Sequence, residues 1–436
     1  MSASDHAKGM SQAWSSAPHR LPWSEGAGAL LIVVAGMLCG LSFYQDHQHA
    51  MIPMVAGLAI LLLGQGRKNP VKTAFLLLLL LSMRAYLQGD ERYDSTEISI
   101  YDYIMTTIAY AATYAMRVDF WKLLLPLTGI FVPLSGCLAL FLHITTTVGE
   151  IFAAGDLSIN QTAFLFGACL TINLSLLWNG LSRKRVPSLR LTLSGFWLLL
   201  SLLTLFLISQ THSRSGLGMP LIAFLLVMLM AYGKTLARRL HQGLQRLFGH
   251  GENHPARLLV AAIVLLILAG IAAQSLIQVY SVQENQVSDL HRLHLLKCYF
   301  GSLFSGHNRL IYGMGFTMAS QGLCKDIGLI EGTTHAHNIF AQIAADNGIF
   351  AILTLTVVIV LLLRSIWKRR HFTDQPMVLC TLVLSVYCLL FLQIEGGWGK
   401  VTFLQALIGM AFASLTMPLQ RVEASDTEVG HNRAAS

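Results

Sequence analysis

Long apolar segments, repeated along most of the chain, constrain its fold more than any other feature. There are about twelve, most of about 16–22 residues, and each is long enough to cross a hydrocarbon core about 30 Å thick. Only 12% of the residues are charged and 54% are hydrophobic, whereas about 25% of the residues in soluble domains are charged. The segments lack the period-two alternation of a transmembrane β-barrel. The sequence therefore predicts an all-α polytopic membrane protein.

Polar breaks between the apolar segments place about twelve membrane spans along the chain. An even number of spans puts both termini on the same side of the membrane. The spans are predicted at residues 27–45, 50–65, 73–89, 101–116, 123–145, 161–178, 191–209, 216–232, 258–277, 347–364, 377–394 and 401–417.

Basic residues are concentrated in alternate loops, which indicates the direction in which the chain crosses the membrane. Arg and Lys are frequent at residues 67–72, 183–190, 234–257 and 364–370, and scarce in the short loops between them. Because cytoplasmic loops carry an excess of Lys and Arg, both termini are predicted to be cytoplasmic. The net charge of +8 is then explained by the basic loops that set the orientation of the chain in the membrane, and it does not indicate nucleic-acid binding.

This topology divides the chain into five parts, and it predicts that the long loop between spans 9 and 10 faces the outside of the cell, or the periplasm of a Gram-negative cell. This loop is too short for a sizeable core of its own, so we expect it to fold back on the membrane. The parts are a cytoplasmic N-terminal segment at 1–26, spans 1–9 at 27–277, the periplasmic loop at 278–346, spans 10–12 at 347–417 and a cytoplasmic tail at 418–436.

The first half of the periplasmic loop, VSDLHRLHLLKCYFGSLF, has the pattern of an amphipathic helix. Arg292, His291 and Lys297 lie off its apolar stripe, so they are expected on the polar face. The residues of the predicted stripe are Leu290, Leu293, Leu296 and Phe300.

Two further features of the periplasmic loop bear on its structure. Cys298 and Cys324 can form a disulfide if the loop faces an oxidising compartment. The stretch YGMGF, at residues 312–316, contains a glycine turn of the kind that lets one backbone approach another closely.

The end of the loop, HAHNIFAQIAADNGIF, places two histidines just before an apolar span. Thr334 is the expected N-cap of a helix here, which puts His337 in the first helical turn, ahead of a face of small residues. A neutral histidine at this position has the properties of a general base. Two other interpretations are an interfacial polar residue and a His-x-His metal pair, although no third ligand stands at a convincing spacing.

Arg214, in THSRSG, and Arg292 add positive charge on the side of the membrane where basic residues are otherwise few. Guanidinium groups bind phosphate through paired hydrogen bonds, so two arginines and a histidine on one face favour an anionic substrate. The alternatives are a side chain reaching lipid phosphate for Arg214 and a solvated helix face for Arg292.

The order of these motifs resembles the O-antigen ligase family. SRSG follows a central span, an arginine in the periplasmic loop precedes GMGF, and HAHNIFAQIAADNGIF leads into the next span. The family belongs to a superfamily that also contains O-antigen polymerases and bacterial O-linked oligosaccharyltransferases. The resemblance implies a C-type glycosyltransferase-like fold. It also implies inverting transfer without a metal or cofactor, from an undecaprenyl-pyrophosphate-linked polysaccharide to the lipid A–core oligosaccharide at the periplasmic face.

The resemblance also implies roles for individual residues. His337 matches the family's essential histidine, Arg214 its Ser-Arg motif and Arg292 its loop arginine. The arginines are expected to stabilise the charge that develops on the pyrophosphate, and His337 to accept or orient the proton of the acceptor hydroxyl. Weaker candidates for contact with pyrophosphate or sugar are Arg84, Ser213, His335, Asn338 and Lys400.

Three other functions are weighed against the ligase. An O-antigen polymerase would use a second lipid-linked glycan as acceptor. A protein O-oligosaccharyltransferase usually carries a longer soluble tail. A transporter of an anionic lipid or sugar would place ionisable residues near the middle of the membrane, whereas the spans predicted here are nearly free of charge at their centres.

Overall fold

The structure, a computed structural model, describes a little more than half of the chain. It covers residues 118–141, 146–148, 151–153, 159–182, 187–211, 213–247, 283–315, 336–373, 375–395 and 402–416, with a few positions at 30–37 and 319–324. The predicted spans at 50–65, 73–89, 101–116 and 258–277, and most of the span at 27–45, lie outside the described residues.

Ten α-helices and one strand pair make up the described part. They are α1 (Val118–Phe141), β1 (Thr146–Val148), β2 (Ile151–Ala153), α2 (Ile159–Ser182), α3 (Pro187–Gln210), α4 (Arg214–Leu247), α5 (Gln283–Leu303), α6 (His307–Tyr312), α7 (Ile339–Asn347), α8 (Ile349–Arg369), α9 (Pro376–Glu395) and α10 (Thr402–Thr416). A short 3₁₀ turn, Arg370–Phe372, follows α8.

Six of these helices are long and apolar enough to cross a membrane, and each overlaps a predicted span. A seventh predicted span corresponds to the shorter apolar stretch Ala406–Thr416 in α10. The strand pair was not predicted: Thr146 to Val148 pair antiparallel with Ile151 to Ala153 in the loop between α1 and α2. The six long spans are Leu123–Phe141, Asn160–Leu181, Thr192–Gln210, Ser215–Gly233, Ile349–Phe372 and Pro376–Gln393.

Helix α2 is central among the described spans, since it packs against α1, α3, α4 and α9. Aromatic rings join α2 to α9: Phe164 stacks on Phe391 with ring centroids 4.0 Å apart. The hydroxyl of the buried Tyr387 donates to the carbonyl oxygen of Phe164 at 3.3 Å. These contacts hold the first turns of α2 against the last turns of α9.

A buried amide links three helices inside the bundle. Asn173 on α2 donates from Nδ2 to the carbonyl oxygen of Gly129 on α1 at 3.0 Å and to Oγ1 of Thr204 on α3 at 3.3 Å. Hydrogen bonds of this kind contribute to helix association in membranes, where apolar side chains gain little by leaving lipid for another helix. Asn173 therefore fixes the register of α1, α2 and α3.

The spans alternate in direction, so the described helix ends fall into two groups. The starts of α2, α4 and α8 lie at the same end of the bundle as the C-terminal end of α9. Three contacts connect them, Ser213 to Asn160, Phe164 to Phe391 and Asn338 to Gln393. We call this the motif end, because both the SRSG and the HAHNIF motifs lie there. Lys368 and Arg369, in the last turn of α8, lie at the opposite end, as the charge pattern predicts.

Candidate active site

Helix α5 packs against α7, and a small apolar cluster separate from the main core lies between them. Tyr299 and Leu295 contribute the large side chains, and Ala336, Ala341 and Ala345 contribute small ones. Alanine lets two helices approach closely, because little side chain stands between the backbones. The small-residue face predicted for the end of the periplasmic loop is therefore the face that receives α5.

The predicted apolar stripe of α5 was half correct: Leu296 and Phe300 pack against this cluster, whereas Leu290 and Leu293 do not lie in it. Leu290 and Leu293 are 48% and 45% exposed, so they lie on the outer side of the helix. The buried side follows a different helical row, His291, Leu295, Tyr299 and Ser302. His291, placed by the sequence on the polar face, is 2% exposed. The alanines of α7 leave room for one bulky aromatic ring, that of Tyr299, and this explains why the row that contains Tyr299 is the buried one.

The burial of His291 has an electrostatic consequence. Burial lowers the pKa of its imidazole, and the neighbouring positive charges of Arg292 and His294 lower that pKa further. Each effect disfavours the protonated ring. The neutral form of His291 is therefore favoured on the buried side of α5, one residue from a predicted catalytic arginine.

A disulfide joins Cys298 on α5 to Cys324, which is 26 positions further along the sequence, with a Cα–Cα distance of 5.9 Å. It forms the edge of the same apolar cluster. The sequence predicts that this disulfide can form if the loop faces an oxidising compartment. The cross-link ties the helix that carries Arg292 to the segment that leads toward His337.

The glycine turn of the YGMGF stretch docks on the C-terminal end of α7. The amide nitrogens of Met314 and Gly315 donate to the carbonyl oxygens of Ala345 and Asp346 at 2.7 and 3.2 Å. These carbonyls belong to the last turn of a helix, where partners inside the helix run out. The prediction of a close backbone approach is confirmed, and it fixes the turn after α6 against the turn between α7 and α8.

Asn338 caps α7. Its Oδ1 accepts from the amide nitrogens of Phe340 at 3.0 Å and Ala341 at 3.1 Å, and the helix begins at Ile339. The prediction that Thr334 is the N-cap was therefore wrong, and His337 lies before the helix instead of within its first turn. Asparagine outranks threonine as an N-cap, so the shift has a simple chemical reason.

His337 adopts a left-handed backbone conformation with φ of 49°, which is uncommon for any residue other than glycine. Its side chain is partly exposed, while its Nδ1 atom is buried. Hydrogen bonds hold the residues on both sides of His337. The Ala336 amide nitrogen donates to Oε1 of Gln342 at 3.0 Å, and Nδ2 of Asn338 donates to the carbonyl oxygen of Gln393 on α9 at 3.3 Å.

Ser213 in the SRSG motif is the N-cap of α4. Its Oγ accepts from the amide nitrogen of Gly216 at 3.2 Å and donates to Oδ1 of Asn160 on α2 at 3.1 Å. Gly216 lies so close to Ala163 on α2 that an added β-carbon would collide with it. Arg214 is consequently the first residue of α4, at a helix N-terminus that is fixed to α2 by its neighbours.

The structure brings some of the predicted site residues together and leaves others outside the described part. Arg292 is partly exposed, and no hydrogen bond or ion pair joins its guanidinium to the described residues. Only the backbone of Arg214 is described. Arg84, His335 and Lys400 lie outside the described residues, so their predicted roles remain predictions. Within the described part, no group of three or more His, Cys, Asp or Glu residues is arranged to hold a metal ion.

Three polar residues of the motif end were not among the predicted site residues. Gln342 bonds the backbone before His337, Gln393 bonds the side chain after it, and Asn160 bonds Ser213. For Gln342 a signal existed in the sequence, because it stands four residues from both Asn338 and Asp346. For Gln393 and Asn160 no local pattern indicated the contact, since each partner is more than fifty residues away.

Together, the fold and the site define a polytopic helical membrane protein in which Ser213 and His337 lie at one end of the described bundle, and α5, which carries Arg292, packs against α7. The O-antigen ligase family model matches residues 196–356, a segment that contains Arg214, Arg292 and His337. This match confirms the family predicted from the motifs: the segment from α3 to the start of α8 is an O-antigen ligase domain. No curated protein matches the chain.

Proposed function

We propose that the protein transfers a polysaccharide from undecaprenyl pyrophosphate to the lipid A–core oligosaccharide at the periplasmic face of the inner membrane. The observation that carries this proposal is the placement of His337. It stands outside any helix, in a left-handed conformation, with a bonded residue on each side. A histidine held in this way at the end of a membrane bundle suits proton transfer at the lipid surface.

The two arginines would act on the leaving group. As the bond between sugar and phosphate breaks, negative charge accumulates on the lipid pyrophosphate, and guanidinium groups fixed beside it stabilise that charge. Arg214 begins α4, where the partial positive charge of the helix N-terminus also favours an anion. Arg292 stands one helical turn before Leu295, which belongs to the same buried cluster as Ala336. With an arginine at the start of α4 and another on α5, transfer would not require a metal ion.

His337 would act through Nε2. Its Nδ1 atom is buried, so the partly exposed portion of the side chain lies elsewhere. In a neutral imidazole one nitrogen carries the proton and the other can accept one. An Nε2 without a proton would accept the proton of the acceptor hydroxyl as that oxygen attacks the anomeric carbon from the face opposite the pyrophosphate.

Two observations support a periplasmic location for the motif end. The disulfide between Cys298 and Cys324 is of a kind that persists in the periplasm and is rare in the cytosol. Basic residues are concentrated at the opposite end of the bundle, in the last turn of α8 and in the loop between α2 and α3, which suits the cytoplasmic side.

Transport of an anionic lipid is less well supported. In the described spans the buried polar side chains are neutral Ser, Thr and Asn residues, apart from Arg369 at the cytoplasmic end. Transporters of charged substrates usually place ionisable groups near the middle of the membrane. Charge at one end of the bundle fits chemistry at an interface better than passage across it.

Deletion of the gene tests the proposed function. We expect lipopolysaccharide to lose its polymeric O-antigen while long polymer accumulates on undecaprenyl pyrophosphate. If the lipid-linked glycan stayed one repeat unit long, the protein would be a polymerase. Lipopolysaccharide with its normal ladder of O-antigen lengths would contradict both activities.

A further inference from the structure

We infer that Gln342 is a positioning residue for His337: its side chain holds the peptide that precedes the histidine and thereby sets the direction of the imidazole. This inference rests on the proposed role of His337 in glycosyl transfer. It concerns a residue that touches neither the histidine ring nor, in our proposal, the substrates.

Gln342 forms a buried bridge between backbone and side chain. Its Nε2 donates to Oδ2 of Asp346 at 2.8 Å, and its Oε1 accepts from the amide nitrogen of Ala336 at 3.0 Å. Gln342 is 1% exposed and Asp346 is fully buried. A backbone N–H can only donate a hydrogen bond, so the amide nitrogen of Ala336 requires the carbonyl end of the Gln342 side chain and leaves its NH₂ group to donate to Asp346. The carbonyl end is thereby directed at Ala336.

The bridge lies next to His337, whose backbone has the left-handed conformation described above. A left-handed conformation is unfavourable for a residue with a side chain, so residues 336 to 338 would relax if nothing held them. Asn338 is held on the far side by Gln393 and by the start of α7. On the near side, the amide nitrogen of Ala336 is held by its hydrogen bond to Gln342.

The chemical pattern of the bridge allows an exchange experiment. Gln342→Glu keeps an acceptor for Ala336 but sets a second carboxylate against Asp346, so the bridge is lost. Adding Asp346→Asn restores it with the roles reversed, since the new asparagine amide donates to the new glutamate. Gln342→Met keeps the length of the side chain and removes both hydrogen bonds.

The variants are compared in the full-length protein, purified in detergent, with lipid-linked polysaccharide as donor and lipid A–core as acceptor. We expect kcat to fall by about 10- to 100-fold in Gln342→Met and Gln342→Glu, because small misplacement of a catalytic group has effects of this size. The KM for the donor should stay unchanged, since the arginines are untouched. The Gln342→Glu/Asp346→Asn pair should recover most of kcat.

Formation of the Cys298–Cys324 disulfide, followed by thiol labelling, shows in each variant whether the loop has folded. Wild-type kcat in both single variants, with His337→Ala inactive, would overturn the inference and leave the proposed function standing. So would a low kcat in Gln342→Glu that the added Asp346→Asn does not raise. Full transfer by His337→Ala would overturn the proposed function itself, whatever Gln342 does.

Discussion

The backbones of Gly313 and Gly348 are in close contact: a β-carbon added at Gly348 would lie 2.7 Å from the amide nitrogen of Gly313. Both residues have positive φ, 74° and 77°, and both meet backbone atoms that cannot move aside. The crossing joins the turn after α6 to the first residue before α8. It places the segment that follows α6 against the point where the candidate span Ile349–Phe372 begins.

Gly348→Ala should therefore detach this part of the loop from α8. We expect the protein to lose more than about 1 kcal/mol of stability, from the left-handed backbone alone, and further stability from the collision with Ile311 and Gly313. The measurement is the midpoint of thermal unfolding in detergent. Gly301→Ala is the matched control, because an added β-carbon there meets nothing within 4 Å. Equal midpoints for the two variants would contradict the account of the crossing.

The Cys298–Cys324 disulfide should hold α5 and the segment before α7 together. Replacing both cysteines with serine should lower stability by about 2–4 kcal/mol, the usual range for a native disulfide. The check is a maleimide–polymer gel shift: the two thiols should react only after reduction and denaturation. Rapid labelling of unreduced protein in cells would show that the bond does not form and would remove one support for a periplasmic location.

Neutral His291 should make the loop sensitive to acid. Its pKa in the folded protein is lowered from 6.5, so between pH 6.5 and that lowered value the unfolded chain binds more protons, and stability falls as the pH falls. The slope cannot exceed about 1.4 kcal/mol per pH unit for one group. Above pH 6.5 this contribution vanishes. His291→Gln should flatten the acid side of a plot of unfolding midpoint against pH.

His307→Gln is the control for this measurement, because His307 is an exposed histidine on α6. The His307 variant should keep the acid-side slope of the wild type. A wild-type slope in the His291 variant as well would mean that another group is responsible for the acid sensitivity.

Ser213 should act as a cap and not as a substrate ligand. Removing a serine N-cap costs about 0.5–2 kcal/mol, so Ser213→Ala should lower the unfolding midpoint while KM for the lipid-linked donor stays close to the wild-type value. A large rise in KM with no change in stability would instead support the contact with pyrophosphate predicted from the sequence.

The sequence predicted the features that depend on composition and short patterns, and it failed where tertiary contacts decide. Apolar length placed six spans, and the glycines of YGMGF indicated a backbone crossing whose partner lies some thirty residues away. On α5, however, Leu290 and Leu293 look like a core stripe but face outward, while His291 and Ser302 are buried. The alanines of α7 determine which side of α5 is buried, and the pattern of apolar residues within α5 cannot reveal that partner surface.

The start of α7 shows a second kind of limit. Both Thr334 and Asn338 are acceptable caps, and the spacing of the small residues that follow suits either one. The contact between Asn338 and Gln393 on α9 adds a long-range reason to begin the helix at Ile339. That choice leaves His337 in a conformation that no propensity scale would assign to it.

Transfer by the His337→Ala protein is the most direct test of the central claim. Purified wild-type and variant proteins, both with the Cys298–Cys324 disulfide formed, are given lipid-linked polysaccharide and lipid A–core, and the rate at which polymer appears on lipid A–core is measured. Loss of a general base lowers a rate by about 10²- to 10⁴-fold, and we predict a loss in this range. Transfer by His337→Ala at the wild-type rate would contradict the account.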